Sequence, residues 1–215
     1  YSVGGHKADK HLKPEELSAV ETGVKYETKG VTVKANLYWN HHKNLIDWIN
    51  DGTLDASGAP LWKSVNFGTI NDFGAEMALD FNLLQLIPSQ RFFKKFGVAY
   101  SYINQDKTEQ AGIVSKYALE YLKNKVVSNL QMNLWRNLDL GLNYRFQHRM
   151  GSYLDVNNQR HKYRSNGVMD ARLSWNDKSW TAYLEANNLF GTHYLDYGNV
   201  PQPGTWVIGG IRINL

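Results

Sequence analysis

The sequence has no cysteine and no apolar run approaching the roughly 18 residues that a membrane helix needs. The first absence excludes disulfide frameworks and thiolate metal sites, and it permits export through an oxidising compartment. The second excludes a helical span but not a membrane barrel, in which only alternate strand residues face lipid. Charge of one sign is also scarce. The net charge is +4 and the basic residues are scattered, so no basic stripe argues for a nucleic-acid partner. There is no Ser-His-Asp order, no framed pair of carboxylates, no phosphate-cradling glycine loop and no cluster of metal ligands. The sequence therefore gives no sign of an enzyme or of a resident cofactor. Residues 1–11 lack a start methionine and any signal-peptide pattern, and they resemble the tail of a polar loop.

What is present is aromatic content of 13%, with 13 Tyr and 7 Trp, and a long strict alternation. In Leu138-Asp139-Leu140-Gly141-Leu142-Asn143-Tyr144-Arg145-Phe146-Gln147 every even position is aliphatic or aromatic and every odd one is small, polar or charged. Strand side chains alternate between faces, so this is a strand with one apolar and one wet face. About ten residues of unbroken alternation suits a tilted strand crossing a bilayer, whereas soluble strands average nearer five or six.

The same pattern marks nine strands. The first, at about 16–27, is the least regular. The turn Lys29-Gly30 leads to a second with Val31, Val33, Ala35, Leu37 and Trp39 on one face. A third follows with Phe73, Ala75, Met77, Leu79 and Phe81, and a fourth with Phe96, Val98, Tyr100 and Tyr102. The fifth shows Leu130, Met132 and Leu134, and the sixth is the segment quoted above. The seventh carries Met169, Ala171, Leu173 and Trp175, the eighth Trp180, Ala182, Leu184 and Ala186, and the ninth Val207, Gly209, Ile211, Ile213 and Leu215.

Long polar connections are expected at about 50–65, 104–123, 148–166 and 188–204, with shorter turns between them. Lys34, Glu76, Asp80, Asp139, Arg145, Arg172, Glu185 and Arg212 all fall on the polar face. On a lipid face each would cost up to ~2–4 kcal/mol near the bilayer midplane. The expected fold is all-β, an antiparallel transmembrane β-barrel portion with short periplasmic turns and long extracellular loops. Single-chain bacterial barrels have even strand numbers, and an open edge in lipid leaves backbone groups unsatisfied. Residues 1–215 are therefore expected to form the C-terminal portion of a larger barrel.

At three places the residues resemble a known family, the TonB-dependent outer-membrane receptors. Leu12-Lys13-Pro14-Glu15-Glu16 with Glu21-Thr22-Gly23-Val24-Lys25 is similar to the family's Leu-x-Pro-Glu segment and the strand after it. Asn187-Asn188-Leu189-Phe190-Gly191-Thr192-His193-Tyr194 resembles its Asn-Leu-Phe motif. Pro203-Gly204-Thr205-Trp206 resembles its Pro-Gly-Arg approach to the terminal strand, with Thr205 in place of arginine and Leu215 in place of a terminal aromatic. The resemblance marks Pro14, Glu15, Asn188, Leu189, Phe190, Pro203 and Gly204 as family-motif positions. It implies a barrel of about 22 strands around a plug, with this chain supplying the last nine strands and extracellular loops. It further implies energy-coupled import across the outer membrane of a Gram-negative cell, of a ferric siderophore, haem or cobalamin. The implied partners are outer-membrane lipid, the remaining strands and plug, the energising TonB complex reached through the plug, and a surface lipoprotein.

Candidate substrate-contacting residues lie in the expected loops. His148, Arg149 and Tyr153 join cations and an aromatic near the rim, and Trp48 and Trp62 flank another loop. Aromatics and arginines are favoured at recognition surfaces, although an interfacial girdle is the simpler reading of the tryptophans. His41 and His42 point to opposite faces of a strand and so cannot easily chelate one ion. Asn50-Asp51-Gly52-Thr53-Leu54-Asp55 is loosely like a calcium loop but lacks the closing bidentate acid, so a solvated turn is the expectation. Two other readings remain at this point: a passive porin fragment, and a secreted soluble β-sandwich with shorter strands and its apolar face inside.

Overall fold

The computed structural model describes every residue except 1, 4, 67, 108–112, 116–120, 156–158, 197–199 and 214–215. Tyr1, Asn214 and the terminal Leu215 thus lie outside the described residues. Nine long strands form the principal ladder: β1 Glu16–Thr28, β2 Val31–Lys43, β3 Ile70–Asn82, β4 Phe93–Lys107, β5 Tyr121–Trp135, β6 Leu138–Met150, β7 Asn166–Asn176, β8 Trp180–Asn187 and β9 Trp206–Ile213. Their order in the sheet is their order in the chain, with β1 and β9 at the two edges. Such a meander sends successive connections alternately to its two ends. Short and long connections therefore alternate along the chain, as the spacing of the turns predicts.

The chain divides into two compact units. The first comprises Tyr1–Thr22, Leu37–Gly74 and Ile103–Tyr121. The expected irregular connection at 50–65 is instead partly ordered here. Ile46–Asn50 pairs antiparallel with Trp62–Asn66, and His6–Lys7 adds in parallel to the latter. Its alternation is too short to stand out as strand in the sequence.

The second unit comprises Gly23–Asn36, Ala75–Tyr102 and Leu122–Leu215. Its registers confirm the predicted faces. Leu140 lies opposite Leu173 and Leu142 opposite Ala171, while Gly141 faces Arg172 and Asn143 faces Asp170. Leu173 in turn meets Leu184, and Arg172 meets Glu185. The short turn at Gly30 needs φ of +85°, and the Leu86 side chain lies 2.9 Å from where a Cβ would sit, so only glycine fits. A β-bulge interrupts β4, because Met132 pairs with Phe93 but Gln131 pairs with Lys95. Lys94 is the extra residue, and it reaches Asp139 on the polar face although strict alternation would send it to the other.

The apolar face is bare. Leu184 is 55% exposed, Val207 59% and Ile211 73%. Among the described residues the buried hydrophobic side chains are only Ile49, Ile70, Met132, Tyr163 and Val168. A soluble sandwich covers such a face with a second sheet, and contiguous exposed apolar surface on this scale marks contact with a membrane or partner. No described helix is long and apolar enough to cross a membrane, which says nothing of crossing by strands.

Candidate functional site

The polar face of the second unit is built from odd-numbered residues of β6 and their cross-strand partners. At the short-turn end Asp139 collects three donors: Lys94 Nζ at 2.9 Å, Asn133 Nδ2 at 2.9 Å and Asn176 Nδ2 at 3.0 Å. Further along, Arg172 donates to Glu185 Oε2 at 3.1 Å and lies 3.9 Å above the Tyr183 ring. That ring lies flat because Gly210 is beneath it; a Cβ there would fall 2.6 Å from the ring. Asp139 is thus ion-paired with Lys94, and Arg172 with Glu185.

Toward the long connections, Arg145 donates to the Tyr194 hydroxyl at 3.1 Å and Arg149 to Asp196 at 2.5 Å. Arg149 also sits 5.8 Å from the Tyr163 ring, which packs on Tyr153 at 5.2 Å. Tyr153 belongs to the short hairpin Ser152–Leu154 with Arg160–Lys162, where His161 meets Asp155 at 2.9 Å. Arg149 and Tyr153 are therefore gathered around Tyr163. His148 is not. Both His148 and Arg149 lie in β6 rather than in a loop, and adjacent strand residues face opposite ways. His148 Nδ1 accepts from Asn124, whose own carbonyl accepts from the Tyr100 hydroxyl on the apolar side.

A cavity of about 400 Å³ opens on the same polar face in the second unit. Lys34, Glu76, Ser101 and Lys125 border it, over a floor of Ala78, Ala99 and Val127.

The Asn-Leu-Phe motif forms a clamp between β8 and β9. Asn188 is 4% exposed and has φ of +49°. Its Nδ2 donates to the carbonyls of Thr192 at 2.9 Å and Pro203 at 3.0 Å, and its Oδ1 accepts from Thr192 N at 2.8 Å. Asn188 N donates to Asp170 at 2.8 Å, and the Thr205 hydroxyl donates to Asn188 O at 2.7 Å. Leu189 contributes its backbone N–H to Met169 O at 2.7 Å, while Phe190 is 74% exposed. At Gly204 a Cβ would meet nothing within 4 Å.

In the first unit, Pro14 and Glu15 brace the loop strand that begins at Ile46. Asn44 Nδ2 donates to Pro14 O at 3.3 Å, and Ile46 N donates to Glu15 Oε1 at 2.6 Å. Trp48 and Trp62 stand in the short hairpin. Trp48 meets the edge of His6 at 5.2 Å, and Trp62 pairs with His6 along the backbone. Asp47, 1% exposed, accepts from Trp48 N at 2.7 Å and from the Ser115 hydroxyl.

His41 and His42 separate as expected. His41 pairs with Asn71 at 2.7 Å and stacks on Trp39, whereas His42 meets Asp72 at 3.0 Å. Asp51 is occupied by Lys63 at 2.8 Å and the Thr53 hydroxyl at 2.6 Å. These bonds hold its carboxyl far below the usual carboxylate range. The Ser57 hydroxyl and Ala59 N–H likewise lower Asp55. A lysine thus takes the place a calcium ion would need, and among the described residues no group of three acids, histidines or cysteines could hold a metal.

Several wall residues stand out only in three dimensions. Tyr194, Asp196, Asn124 and Tyr163 are far in sequence from the groups they meet. Arg145, Lys34 and Glu76 were legible as polar-face positions from alternation, but the meeting of Arg145 with Tyr194 was not.

Residues 1–189 match the family model described as TonB dependent receptor-like, beta-barrel. Among solved structures, the FrpB iron transporter from Neisseria meningitidis (F3-3 variant) superposes with a TM-score of 0.67 at 16% identity, over 96% of this chain and 32% of that one. The copper transporter OprC gives a TM-score of 0.69 at 13% identity, over 93% and 32%. The siderophore receptor PirA from Acinetobacter baumannii gives 0.63 at 15%, also over 93% and 32%. At these identities the likeness is one of fold, and the chain spans about a third of each relative's length. No curated protein sequence matches.

Proposed function

Because this chain belongs to the TonB-dependent receptor β-barrel family, whose members are outer-membrane proteins, we propose that it is the C-terminal wall of an active importer. The family's solved structures include proteins described as iron and copper transporters and a siderophore receptor. For this chain we take the cargo to be a scarce, bulky nutrient of the ferric siderophore, haem or cobalamin kind. The remaining strands and the plug come from the rest of the protein, and the TonB complex supplies energy through the plug. A surface lipoprotein is a further candidate partner at the long connections.

The observation that carries this reading is the division of the sheet into two unlike faces. Exposed Leu184, Val207 and Ile211 meet lipid on one side, while Asp139, Arg145, Arg172 and Glu185 face a polar interior on the other. Arg149, Tyr153 and Tyr163 would receive the cargo, since a cation set against aromatic rings suits an anionic, aromatic chelate. Trp48 and Trp62 form a second candidate contact.

The test is uptake of radiolabelled ferric chelates, haem and cobalamin by cells with and without the full-length receptor, before and after an uncoupler collapses the proton-motive force. Receptor-dependent uptake that the uncoupler abolishes is expected. Uptake insensitive to the uncoupler and rising linearly with concentration would instead identify a passive pore.

A further inference from the structure

The connection between β3 and β4 is unlike the other short ones. Those at 29–30, 136–137 and 177–179 hold two or three residues, whereas this one spans ten, 83–92, reading Leu-Leu-Gln-Leu-Ile-Pro-Ser-Gln-Arg-Phe. A single helical turn, α1 (Leu83–Leu86), opens it, and Pro88 cannot continue the helix. Gln90, half-buried, fixes the remainder. Its Nε2 donates to the carbonyls of Leu83 at 3.2 Å and Phe93 at 2.8 Å, and its Oε1 accepts from Phe93 N at 2.7 Å. Gln90 N donates to Ile87 O at 3.2 Å. The turn is thus firmly built, and what it presents is apolar: Ile87 is 51% exposed, Phe92 44% and Phe93 43%.

The turn between β5 and β6 completes a corner. Asn133 N donates to Phe92 O at 2.7 Å, which holds the longer turn against the end of β5. Trp135, 57% exposed, meets the edge of Trp175 at 6.2 Å, and Arg136 sits 4.9 Å from the Trp135 ring centroid. Phe93 pairs with Met132, so the patch runs on from the apolar face of the sheet. Arg91 precedes Phe92 and Arg136 follows Trp135, so both cations edge the patch. Among the described residues neither forms an ion pair, and segments 83–93 and 133–137 contain no acid. Asp139, the next acid along β6, is taken by Lys94.

Resting on the reading of the apolar face as lipid-facing, we propose that this corner binds an anionic phospholipid of the periplasmic leaflet, its phosphate held by Arg91 and Arg136 and its acyl chains lying along Ile87, Phe92 and Trp135. Short turns of an outer-membrane barrel face the periplasm, which puts the corner at the level of lipid headgroups. Aromatic rings suit that interface, and guanidinium groups grip phosphate with paired hydrogen bonds. Two unpaired cations select an anionic headgroup over a zwitterionic one, whose ammonium would find no carboxylate here. A lipid is favoured over a periplasmic protein because the patch is continuous with the exposed apolar face rather than separate from it.

The experiment uses the full-length receptor with photoreactive p-benzoylphenylalanine replacing Ile87, reconstituted in vesicles of equimolar dioleoyl phosphatidylglycerol and dioleoyl phosphatidylethanolamine. After illumination, mass spectrometry identifies the adduct. The expected product is a phosphatidylglycerol adduct in several-fold excess over the phosphatidylethanolamine one. Arg91→Gln with Arg136→Gln should bring the two to parity, and Arg91→Lys with Arg136→Lys should retain most of the excess. The same probe replacing Ile211, on the apolar face of β9, should take both lipids without that preference, and its adducts show that each variant has assembled. Parity at position 87 in the otherwise unaltered receptor, an excess that survives loss of both arginines, or an adduct with a periplasmic protein on illumination in outer membranes would overturn the proposal. Lipid adducts at position 211 with none at 87 would refute this site alone, whereas none at either position would also refute the lipid-facing reading of the wall.

Discussion

Replacing Asn188 with alanine removes three side-chain hydrogen bonds at once, to Thr192 N, Thr192 O and Pro203 O, at a residue 4% exposed. A net loss of about 1 kcal/mol per bond gives about 3 kcal/mol. The backbone of Asn188 is left-handed, with φ of +49°, and alanine there adds about 1 kcal/mol that asparagine largely escapes. Asn188→Ala should therefore weaken the clamp between β8 and β9 by about 4 kcal/mol, and Asn188→Gly, free of the backbone penalty, by about 3 kcal/mol. Asn188→Asp should be worst. It keeps the bond from Thr192 N but turns a carboxylate oxygen toward two carbonyls, beside Asp170, in a site with little water.

The assay is amide hydrogen exchange of the full receptor in detergent, read at Thr192 and across 188–205. If opening of the clamp limits exchange, a 4 kcal/mol loss corresponds to roughly a 10³-fold faster rate at Thr192. Exchange within tenfold of the wild type in Asn188→Ala, or an Asn188→Asp receptor protected like the wild type, would refute the account of the motif as a hydrogen-bonded clamp.

Gly210→Ala places a methyl group 2.6 Å from the Tyr183 ring and should destabilise by about 1–3 kcal/mol, as overpacking does. In a double-mutant cycle by thermal denaturation, Tyr183→Ala should remove most of that cost; strictly additive effects would sink the explanation. Leu184→Arg introduces a charge on the apolar face opposite Gly209, at a cost of up to ~2–4 kcal/mol in lipid, so the yield of receptor assembled into vesicles should fall; an unchanged yield would mean this face does not meet lipid. Asp51 should titrate below the usual carboxylate range because Lys63 and Thr53 bond its ionised form. Since its pKa is lowered on folding, its contribution is fully present above the unfolded value near 3.8 and is lost only as pH falls through the lower folded value. Carboxyl ¹³C shifts in the wild type and in Lys63→Met check this, the variant being expected to titrate closer to the ordinary value.

The faces of β6, β7, β8 and β9 were fully legible in the sequence, because a period of two is a local property that each residue carries without reference to any other. So was the alternation of short and long connections along the chain, and the sheet keeps the strands in that order. Family resemblance located Asn188, although what its carboxamide holds became visible only when Thr192 and Pro203 were folded onto it. Lys94 shows where the local rule ends. The bulge that turns it toward Asp139 depends on the register of β4 against β5, which no single strand encodes.

The long connections were least legible. The hairpin carrying Trp48 and Trp62 and the cluster of Arg149, Tyr153 and Tyr163 are assembled by contacts between distant segments, in stretches too short for alternation to be distinctive. The sequence alone thus determined which side of each strand is apolar, since that follows from the order of residues. Tertiary structure decided which charges meet, that His148 and Arg149 part to opposite faces as β6 runs on, and that a cavity bordered by Lys34 and Lys125 stays open over Ala99 and Val127. Those outcomes depend on register and on close approach between strands, and neither is a property of any one segment.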